Sequence, residues 1–421
     1  MLMHLHLRTV VFLAASAILT SVAHADPLIF ESTQLSPANE AGKMRNVILK
    51  GFDGEVQFLP NDNQFRLIAR GAGLLGGMHG DFSTLSATGT LDNVADVLIG
   101  LNDRNFVPAL KKLGMASNGM QTYVPWMQAT YLMAANRKAL AYLPKGANVN
   151  RLTYDQLAQW GAAIKAATGK RKLGLPLGSN GLLHRFIQGY LLPAYTGGTV
   201  RGFRSVEAHD MWRMARRLWD QMARNSTDYS EMGQALLNGD AWVVWDHTAR
   251  LKTAFDERPN DFIAFPAPAG PKGRAFMAVL AGLAIPKDSP ERAAAAKLIG
   301  YLTRPEIQTR TLKEVGFFPI VELGPELQGQ TPTGLASLQR AVAAQSEAED
   351  ALPVLLPMGL GDQGGAFSTV YRLTFTQIVL RGREVNSVLD RQSRRIEQIL
   401  SASGAPCWLP DQTSDGPCPI D

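Results

Sequence analysis

The chain has 421 residues, with 42 Lys and Arg against 37 Asp and Glu, which gives a formal net charge of +5 at pH 7. So small an excess over this length excludes the strongly basic composition that is typical of nucleic-acid-binding proteins. A single hydrophobic core stops growing at about 250–300 residues, so the length predicts two lobes or domains. No internal repeat or low-complexity linker divides the sequence, and we therefore expect lobes built from interleaved segments.

The N-terminal segment has the pattern of a secretory signal peptide. Arg8 supplies a positive charge, an apolar run follows at 10–22, and Ala23-His24-Ala25 forms a small-x-small cleavage site. The apolar run is shorter than the about 20 residues that a membrane-spanning helix needs, and a membrane anchor is the alternative interpretation. We expect removal of residues 1–25, a mature chain that begins at Asp26, and export to an oxidising compartment.

Strand and helix patterns alternate through most of the remaining chain. In chain order we predict a strand at 28–31, a helix at 37–49, a strand at 55–59, a helix near 63–70 followed by a short strand, a helix at 91–101, a strand at 130–134, a short helix at 136–143, helices at 154–168 and 206–222, and strands at 242–245, 262–265 and 279–285. Beyond Pro290 the pattern is mostly helical up to Ser401. Alternating elements followed by helices predict an α/β class with covered sheets.

The glycines from Gly71 to Gly76 follow the pattern G-x-G-x-x-G. A dinucleotide-binding loop requires a strand before this pattern and a helix that opens inside it. Here the preceding residues predict a helix, and residues 77–81 (G-M-H-G-D) are not expected to begin one. We interpret the motif as the loop that follows a helix.

The sequence contains no recognisable catalytic or metal-binding motif. Four histidines follow the signal segment, namely His79, His184, His209 and His247, and their spacing fits no metal site. Neither a G-x-S-x-G elbow nor a phosphate-binding P-loop is present. We therefore expect no catalytic residue, no metal and no cofactor, and this pattern favours binding over catalysis.

Both cysteines, Cys407 and Cys418, lie in a Pro- and Asp-rich tail. In an exported protein two cysteines at this spacing are expected to form a disulfide that closes the tail after its last helix. The alternative is a metal site or a reactive thiol pair. That alternative is less favoured, because no histidine lies nearby and no C-x-x-C motif occurs.

Aromatic side chains stand beside polar residues at the ends of two predicted strands. Trp126 and Gln128 precede one strand, and Trp245 is followed by Asp246 and His247. A sugar offers apolar C–H faces and a rim of hydroxyl groups, so its site needs flat aromatic surfaces together with planar hydrogen-bonding groups. These residues favour a carbohydrate site, and a place in the hydrophobic core is the alternative for each tryptophan.

Five segments between residues 123 and 320 occur in an order that is typical of one family of binding proteins. The segments are Y-V-P-W-M-Q at 123–128 with A-N-R-K-A-L at 135–140, L-N-G-D-A-W-V-V-W-D-H at 237–247, F-P-A-P-A-G-P-K-G at 265–273, A-G-L-A-I-P-K at 281–287, and G-F-F-P at 316–319. Together they resemble the family 1 extracellular solute-binding proteins of ABC sugar importers. The N-terminal part departs from the family pattern, because Gly80 and Asp81 stand where the family has Pro-Asp.

The resemblance implies an α/β, two-lobed periplasmic binding protein-like fold of type II, with the ligand in a cleft between the lobes. Lobe 1 is expected at 26–126 plus 281–320, and lobe 2 at 127–280 plus 321–421. The implied ligand is a carbohydrate (a sugar, an oligosaccharide or a polyol), and the implied partners are the permease subunits of an ABC importer at the inner membrane. A periplasmic monomer without enzyme activity is expected.

The family pattern also implies which residues contact the ligand. Ser32, Thr33 and Gln34 follow the first strand, and Trp126 and Gln128 lie at a crossover between the lobes. The other residues are Asp81, His184, Arg185, Trp245, Asp246, His247, Arg250 and Phe317. Arg250 is expected to hold a pair of hydroxyl groups or a carboxylate.

Three alternatives share parts of this prediction. The same fold can bind a polyamine or another small polar solute, but a polyamine needs several inward carboxylates, and only Asp81 and Asp246 are available among the candidates. The protein can instead present its ligand to a sensor. An exported hydrolase is the third alternative.

Overall fold

The computed structural model describes residues 26–36, 38–61, 71–116 and 119–421. The strands are β1 Leu28–Ser32, β2 Val56–Pro60, β3 Leu74–Met78, β4 Val124–Ala129, β5 Tyr131–Asn136, β6 Leu173–Gly174, β7 Val243–His247, β8 Phe262–Phe265, β9 Arg274–Met277, β10 Val279–Ala284 and β11 Ala351–Val354. The expected signal segment at 1–25 and the helix predicted near 63–70 lie outside the described residues.

Helices cover these strands. They are α1 Ala38–Lys43, α2 His79–Ala87, α3 Ala95–Ile99, α4 Pro108–Leu113, α5 Tyr154–Thr168, α6 Leu183–Phe186, α7 Leu192–Thr196, α8 Val206–Trp219, α9 Met232–Asn238, α10 Thr248–Glu257, α11 Arg292–Leu302, α12 Pro305–Val315, α13 Pro325–Gly329, α14 Thr333–Ser346, α15 Gly364–Phe375 and α16 Val385–Ser403. Within the described residues, no helix has both the length and the apolar character that a membrane crossing requires.

The first sheet has the strand order β2-β1-β3-β10-β4. β2, β1 and β3 are parallel, and β10 runs antiparallel to both β3 and β4. Its core contains the fully buried Phe30 and Trp126. The carboxyl ends of β1, β3 and β4 therefore lie at the same edge of this sheet.

The second sheet has the order β6-β7-β5-β8, with β5 antiparallel to both β7 and β8. Side chains alternate along β5, because successive residues of a strand point to opposite faces. Tyr131 and Met133 join a core formed with α5, α8 and the C-terminal helices, and Leu132 and Ala134 join a core formed with α9, α10 and α14. Both faces are thus covered, as the apolar composition of the strand predicts. The short parallel pair β11-β9 packs on the first of these two cores.

The chain passes between the core of the first sheet and the cores of the second half at three neighbouring points. β4 belongs to the first sheet and β5 to the second, with only Thr130 between them. The Thr130 hydroxyl donates to the carbonyl of Met277 at 2.9 Å, directly before the second crossing at Ala278. At the third crossing, Gln128 and Phe318 exchange two backbone hydrogen bonds of 3.0 and 2.7 Å. The crossings form one connected bundle of backbone.

The C-terminal tail is closed by the predicted disulfide between Cys407 and Cys418, which confirms that prediction. Inside the loop, the buried Asp411 accepts hydrogen bonds from the backbone N–H groups of Thr199, Val200 and Arg201. The tail is therefore attached to the α7–α8 connection and is part of the second half of the fold.

The sequence expectation for residues 77–81 is wrong. Residues 77–81 were not expected to begin a helix, yet α2 begins at His79 directly after β3. The Asp81 carboxylate accepts a hydrogen bond of 2.9 Å from the Met78 N–H group, so it satisfies a donor that a helix N-terminus leaves free. The last residues of the glycine motif, Leu74 to Gly76, consequently lie in a strand and not in a loop.

Candidate ligand-binding site

Four candidate residues meet at the carboxyl edge of the first sheet. Ser32 ends β1, Thr33 and Gln34 follow it, and Asp81 lies in the first turn of α2. The Asp81 carboxylate accepts a hydrogen bond of 3.1 Å from the Thr33 hydroxyl, and the Gln34 amide donates to the same hydroxyl at 3.3 Å. We call Ser32, Thr33, Gln34 and Asp81 the first rim. Burial raises the pKa of Asp81, although its hydrogen bonds with Met78 and Thr33 oppose this.

His79 extends this edge and was not among the candidate residues. Its Nδ1 atom lies 2.8 Å from the hydroxyl of the buried Tyr123. Burial lowers the pKa of His79 to about 4, so the ring is neutral near pH 7. The feature of the sequence that could have identified His79 is its position directly after a strand. It was overlooked because residues 77–81 were not expected to begin a helix.

Three residues lie together at one end of the second sheet. Tyr131 begins β5 and pairs in register with His247 at the end of β7, next to Asp246. The Tyr131 ring meets the His247 ring edge-on at 5.0 Å and stacks on Trp245 at 4.9 Å. We call Tyr131, Asp246 and His247 the second rim.

The second rim combines a buried acid with a neutral histidine. Asp246 is completely buried and accepts hydrogen bonds of 2.7 Å from the N–H groups of Met232 and His247. Burial raises the pKa of Asp246 to about 7, with the Arg250 charge acting in the opposite direction. Burial, aided by Arg250, lowers the pKa of His247 to about 4. The Asp246 carboxylate therefore holds the start of α9 in place.

Three arginines lie beside the second rim, and we call Arg185, Arg250 and Arg372 the arginine cluster. Arg372 on α15 lies 3.2 Å from Nδ1 of His184, the residue that precedes Arg185 on α6. Burial lowers the pKa of His184 to about 3, and the charges of all three arginines add to this. Arg372 was missed by the sequence analysis, because nothing in an amphipathic helix so far along the chain indicates that it packs on α6.

The remaining candidates lie at or near the crossings between the sheets. The Trp126 ring is enclosed in the first core, 5.6 Å from the Phe30 ring, and the Trp245 ring is equally buried. Neither offers the open aromatic face expected, because strand alternation turns both rings into a core. The Gln128 amide donates to the Pro319 carbonyl at 3.0 Å. Phe317 is half-buried and packs against the cores of both halves.

The two rims lie on either side of the first crossing. The first rim is at the edge where β4 ends, and Tyr131 of the second rim follows that crossing by one residue. Met78, directly before α2, packs against the larger core of the second half. In addition, the Ser83 hydroxyl of α2 lies 4.0 Å from the sulfur of Met358, which also packs on that core. A ligand between the rims would be reached from both halves.

Comparison with known proteins shows the family to which the chain belongs. A family model for bacterial extracellular solute-binding proteins matches residues 40–309. The chain belongs to this family. The resemblance inferred from its motifs is thereby confirmed, and the protein is a solute-binding protein. No curated protein is significantly similar to the chain in sequence.

Solved structures of the same architecture cover nearly the whole chain. The sugar-binding protein MalE from the phytopathogen Xanthomonas citri shares 17% identity at a TM-score of 0.71, covering 89% of this chain and 98% of that one. Maltose-bound MalE3 of T. maritima shares 18% identity at a TM-score of 0.66, covering 88% and 99%. UgpB from Mycobacterium tuberculosis, in complex with glycerophosphocholine, shares 17% identity at a TM-score of 0.62, covering 90% and 99%. These solute-binding proteins confirm the predicted α/β, two-lobed fold.

The described part of this solute-binding protein contains no group of three or more His, Cys, Asp or Glu side chains that could hold a metal ion. The rims and the arginine cluster instead combine neutral imidazoles, hydroxyl groups, carboxylates and guanidinium groups. Such groups bind polar solutes through hydrogen bonds. The contact of each candidate residue with a ligand stays a prediction.

Proposed function

We propose that this protein captures a carbohydrate (a sugar, an oligosaccharide or a polyol) between the two rims and delivers it to an ABC importer. The observation that carries this proposal is the position of two polar rims on opposite sides of a bundle of three chain crossings. Thr33, Gln34 and Asp81 supply hydroxyl, amide and carboxylate groups on one side. Tyr131 and His247 supply a phenol and an imidazole on the other. This mixture matches the hydroxyl groups of a sugar.

Capture would proceed by closure of two lobes, formed by 26–126 plus 281–320 and by 127–280 plus 321–421. The ligand first binds to one rim, and rotation about the crossings brings the other rim onto it. A ligand can shift this equilibrium only through its greater affinity for the closed form. The permease subunits at the inner membrane would then recognise the closed form, with the protein acting as a monomer.

Delivery to an importer requires export, which we propose is directed by residues 1–25. The mature protein is expected in the periplasm with Asp26 as its first residue. The intact mass of the protein recovered from a periplasmic extract tests this directly. A mass that includes residues 1–25 would contradict the proposed cleavage.

A polyamine ligand is less consistent with the second rim. The carboxylate of Asp246 is fully buried and already accepts two backbone hydrogen bonds. The three arginines nearby would repel a polycation. The structures that resemble this chain include complexes with maltose and with glycerophosphocholine, which supports a small polar ligand that carries hydroxyl groups. Presentation of the ligand to a sensor would use the same site and differ only in the partner.

A thermal-shift screen of the mature protein tests the ligand class. Saccharides, polyols, polyamines and amino acids are compared, since a ligand at a hundredfold excess over its Kd stabilises the native state by about 2.7 kcal/mol. We expect a rise in Tm with one class of carbohydrate. A rise with polyamines and none with carbohydrates would contradict the proposal.

A matched pair of variants connects binding to the first rim. Thr33→Ala removes a hydroxyl from the rim, and we expect it to weaken carbohydrate binding about tenfold, the loss that corresponds to one hydrogen bond. Thr227→Ala removes a hydroxyl from an exposed threonine outside both rims and is the control. Equal affinities of the two variants would exclude the Thr33 hydroxyl from the site.

A further inference from the structure

Within the described residues, no carboxylate forms an ion pair with the three partly buried arginines of the cluster. Within the described ranges, six other arginines form ion pairs with aspartates: Arg104, Arg201, Arg213, Arg217, Arg274 and Arg292. The arginine cluster donates to neutral acceptors instead. Arg185 reaches the Gln188 amide oxygen at 3.5 Å, and Arg250 reaches the Ser230 carbonyl at 2.7 Å.

The third arginine completes the pattern. The Arg372 guanidinium contacts Nδ1 of His184 at 3.2 Å and donates to the Thr369 hydroxyl at 3.0 Å. Both of these partners are neutral, because the pKa of the buried His184 is lowered and its imidazole carries no positive charge near pH 7. None of the hydrogen bonds described for the cluster therefore compensates a charge.

The charges of all three arginines act on the imidazole of His184. Arg185 and Arg372 are brought together by the packing of α6 against α15. Arg250, at the start of α10, reaches the Asn180 carbonyl in the loop before α6. The charges of Arg185 and Arg250 both act on the hydroxyl of Tyr131 in the second rim. The cluster thus borders the place where we propose that the ligand binds.

The acids near the cluster form no ion pair with it. Asp246 is the buried acid beside Arg250, and its two oxygens accept hydrogen bonds from the backbone N–H groups of Met232 and His247 instead of from the cluster. Glu231, which precedes α9, is exposed to solvent. Partly buried cations without a counter-ion are costly to keep in a folded protein. An arrangement of this kind is expected where a ligand anion supplies the missing charge, because guanidinium groups bind carboxylate and phosphate in a fork geometry.

We propose that the ligand is an anionic carbohydrate whose carboxylate or phosphate group binds to Arg185, Arg250 and Arg372, while its hydroxyl groups reach the first rim. This inference rests on the proposed capture of a carbohydrate between the rims and specifies the class of that carbohydrate. A sugar acid and a sugar phosphate present the same chemistry to the cluster. The two are distinguished by experiment.

Calorimetric titration of the mature protein with matched ligand pairs tests the inference. Glucuronate and galacturonate, with their short oligomers, are compared with glucose, galactose and the corresponding neutral oligomers. Glucose 6-phosphate and glycerol 3-phosphate are compared with glucose and glycerol. We expect one anionic member to bind at least about a hundredfold more tightly than its neutral counterpart, as paired charges at a partly desolvated site predict. Whether that member is an acid or a phosphate identifies the anionic group.

Variants of the cluster show whether the preference comes from these arginines. Arg250→Gln and Arg372→Gln are expected to reduce the preference for the anionic member about tenfold or more, and Arg372→Lys to reduce it less. Arg395→Gln, at an exposed position of α16, is the matched control and should leave it unchanged. Without ligand, Arg372→Gln should have a Tm equal to or higher than that of the wild type, because it removes an unpaired charge.

The outcomes separate the two proposals. If neutral sugars bind as tightly as their anionic counterparts and the arginine variants bind normally, the inference is overturned and carbohydrate capture stands. If no carbohydrate of either kind binds, both proposals fail. A structural role of the cluster would also overturn the inference. In that case Arg372→Gln lowers the Tm, while Arg372→Lys and Arg250→Gln both keep the full anion preference of the wild type.

Discussion

At the end of β7, the Asp246 carboxylate accepts two backbone hydrogen bonds while its side chain is completely buried. The hydrogen bonds and the charge of Arg250 favour the ionised form, but loss of hydration outweighs them and raises the pKa to about 7. Since the unfolded chain releases this proton near the ordinary value of 3.8, the folded state holds one more proton between these two values. The contribution of Asp246 to stability is therefore greatest at low pH and decreases as the pH rises toward 7.

Replacement of Asp246 by Asn keeps the residue neutral at every pH. The quantity to compare is the free energy of unfolding of the wild type minus that of Asp246→Asn. We expect this difference to fall by at least about 1.4 kcal/mol from pH 4.5 to pH 8, which is the energy of one unit of pKa shift. Urea denaturation at these two pH values measures it. A difference between the two proteins that does not change with pH would mean that Asp246 is already ionised in the folded protein at the lower value.

Among single residues, the family resemblance indicated all four residues of the first rim but only Arg185 and Arg250 of the arginine cluster. Thr33 and Asp81 follow neighbouring parallel strands, and the carboxyl ends of such strands meet at one edge of a sheet. Arg372 comes close to Arg185 only because two helices distant in sequence pack together, which no local pattern indicates. Trp126 was expected at a ligand and lies in the core, since the strand β4 that contains it was not predicted.

Helix α5 shows which elements a local pattern can define. Thr153 and Gln156 form reciprocal hydrogen bonds at its start, and Gly169, with a φ of 69°, ends it. These features are local, so the predicted bounds of 154–168 are the observed ones. Helix α2 was missed because its start depends on Asp81, whose role becomes clear only when β3 is placed before it. A helix was also expected at 91–101, but the observed helix α3 spans only Ala95–Ile99.

The close approach of α14 to α10 requires a glycine. A Cβ atom at Gly334 would lie 2.1 Å from the Phe255 carbonyl oxygen. Because that oxygen belongs to the backbone, the clash can be relieved only by moving a helix. We expect Gly334→Ala to lower the free energy of unfolding by about 1–3 kcal/mol. Chemical denaturation followed by circular dichroism measures the loss.

Gly42→Ala is the matched control for this substitution. Gly42 lies inside α1, and a Cβ atom there would meet nothing within 4 Å. Because alanine favours the helix over glycine by up to about 1 kcal/mol, this variant should be equally stable or more stable than the wild type. A loss of stability of equal size in both variants would show that helix contact is not what requires glycine at position 334.

For the molecule as a whole, the sequence predicted interleaved halves, since no linker divides the chain. The proximity of the crossings follows from long-range pairing, which the sequence does not indicate. Gln128 pairs with Phe318, and Thr130 donates to Met277, so three strands of backbone are joined side by side. The proposed closure would bend the chain at this bundle. This arrangement is the physical basis for the proposed closure.

A crystal structure of the mature protein with the carbohydrate that raises its Tm most tests the central claim most directly. We expect the ligand to lie between the rims, within hydrogen-bonding distance of Thr33 or Asp81 on one side and of Tyr131, His247 or Arg250 on the other. A carbohydrate that binds outside the space between the rims would contradict capture by closure of the two lobes. So would a carbohydrate that contacts only one half of the protein in every copy in the crystal.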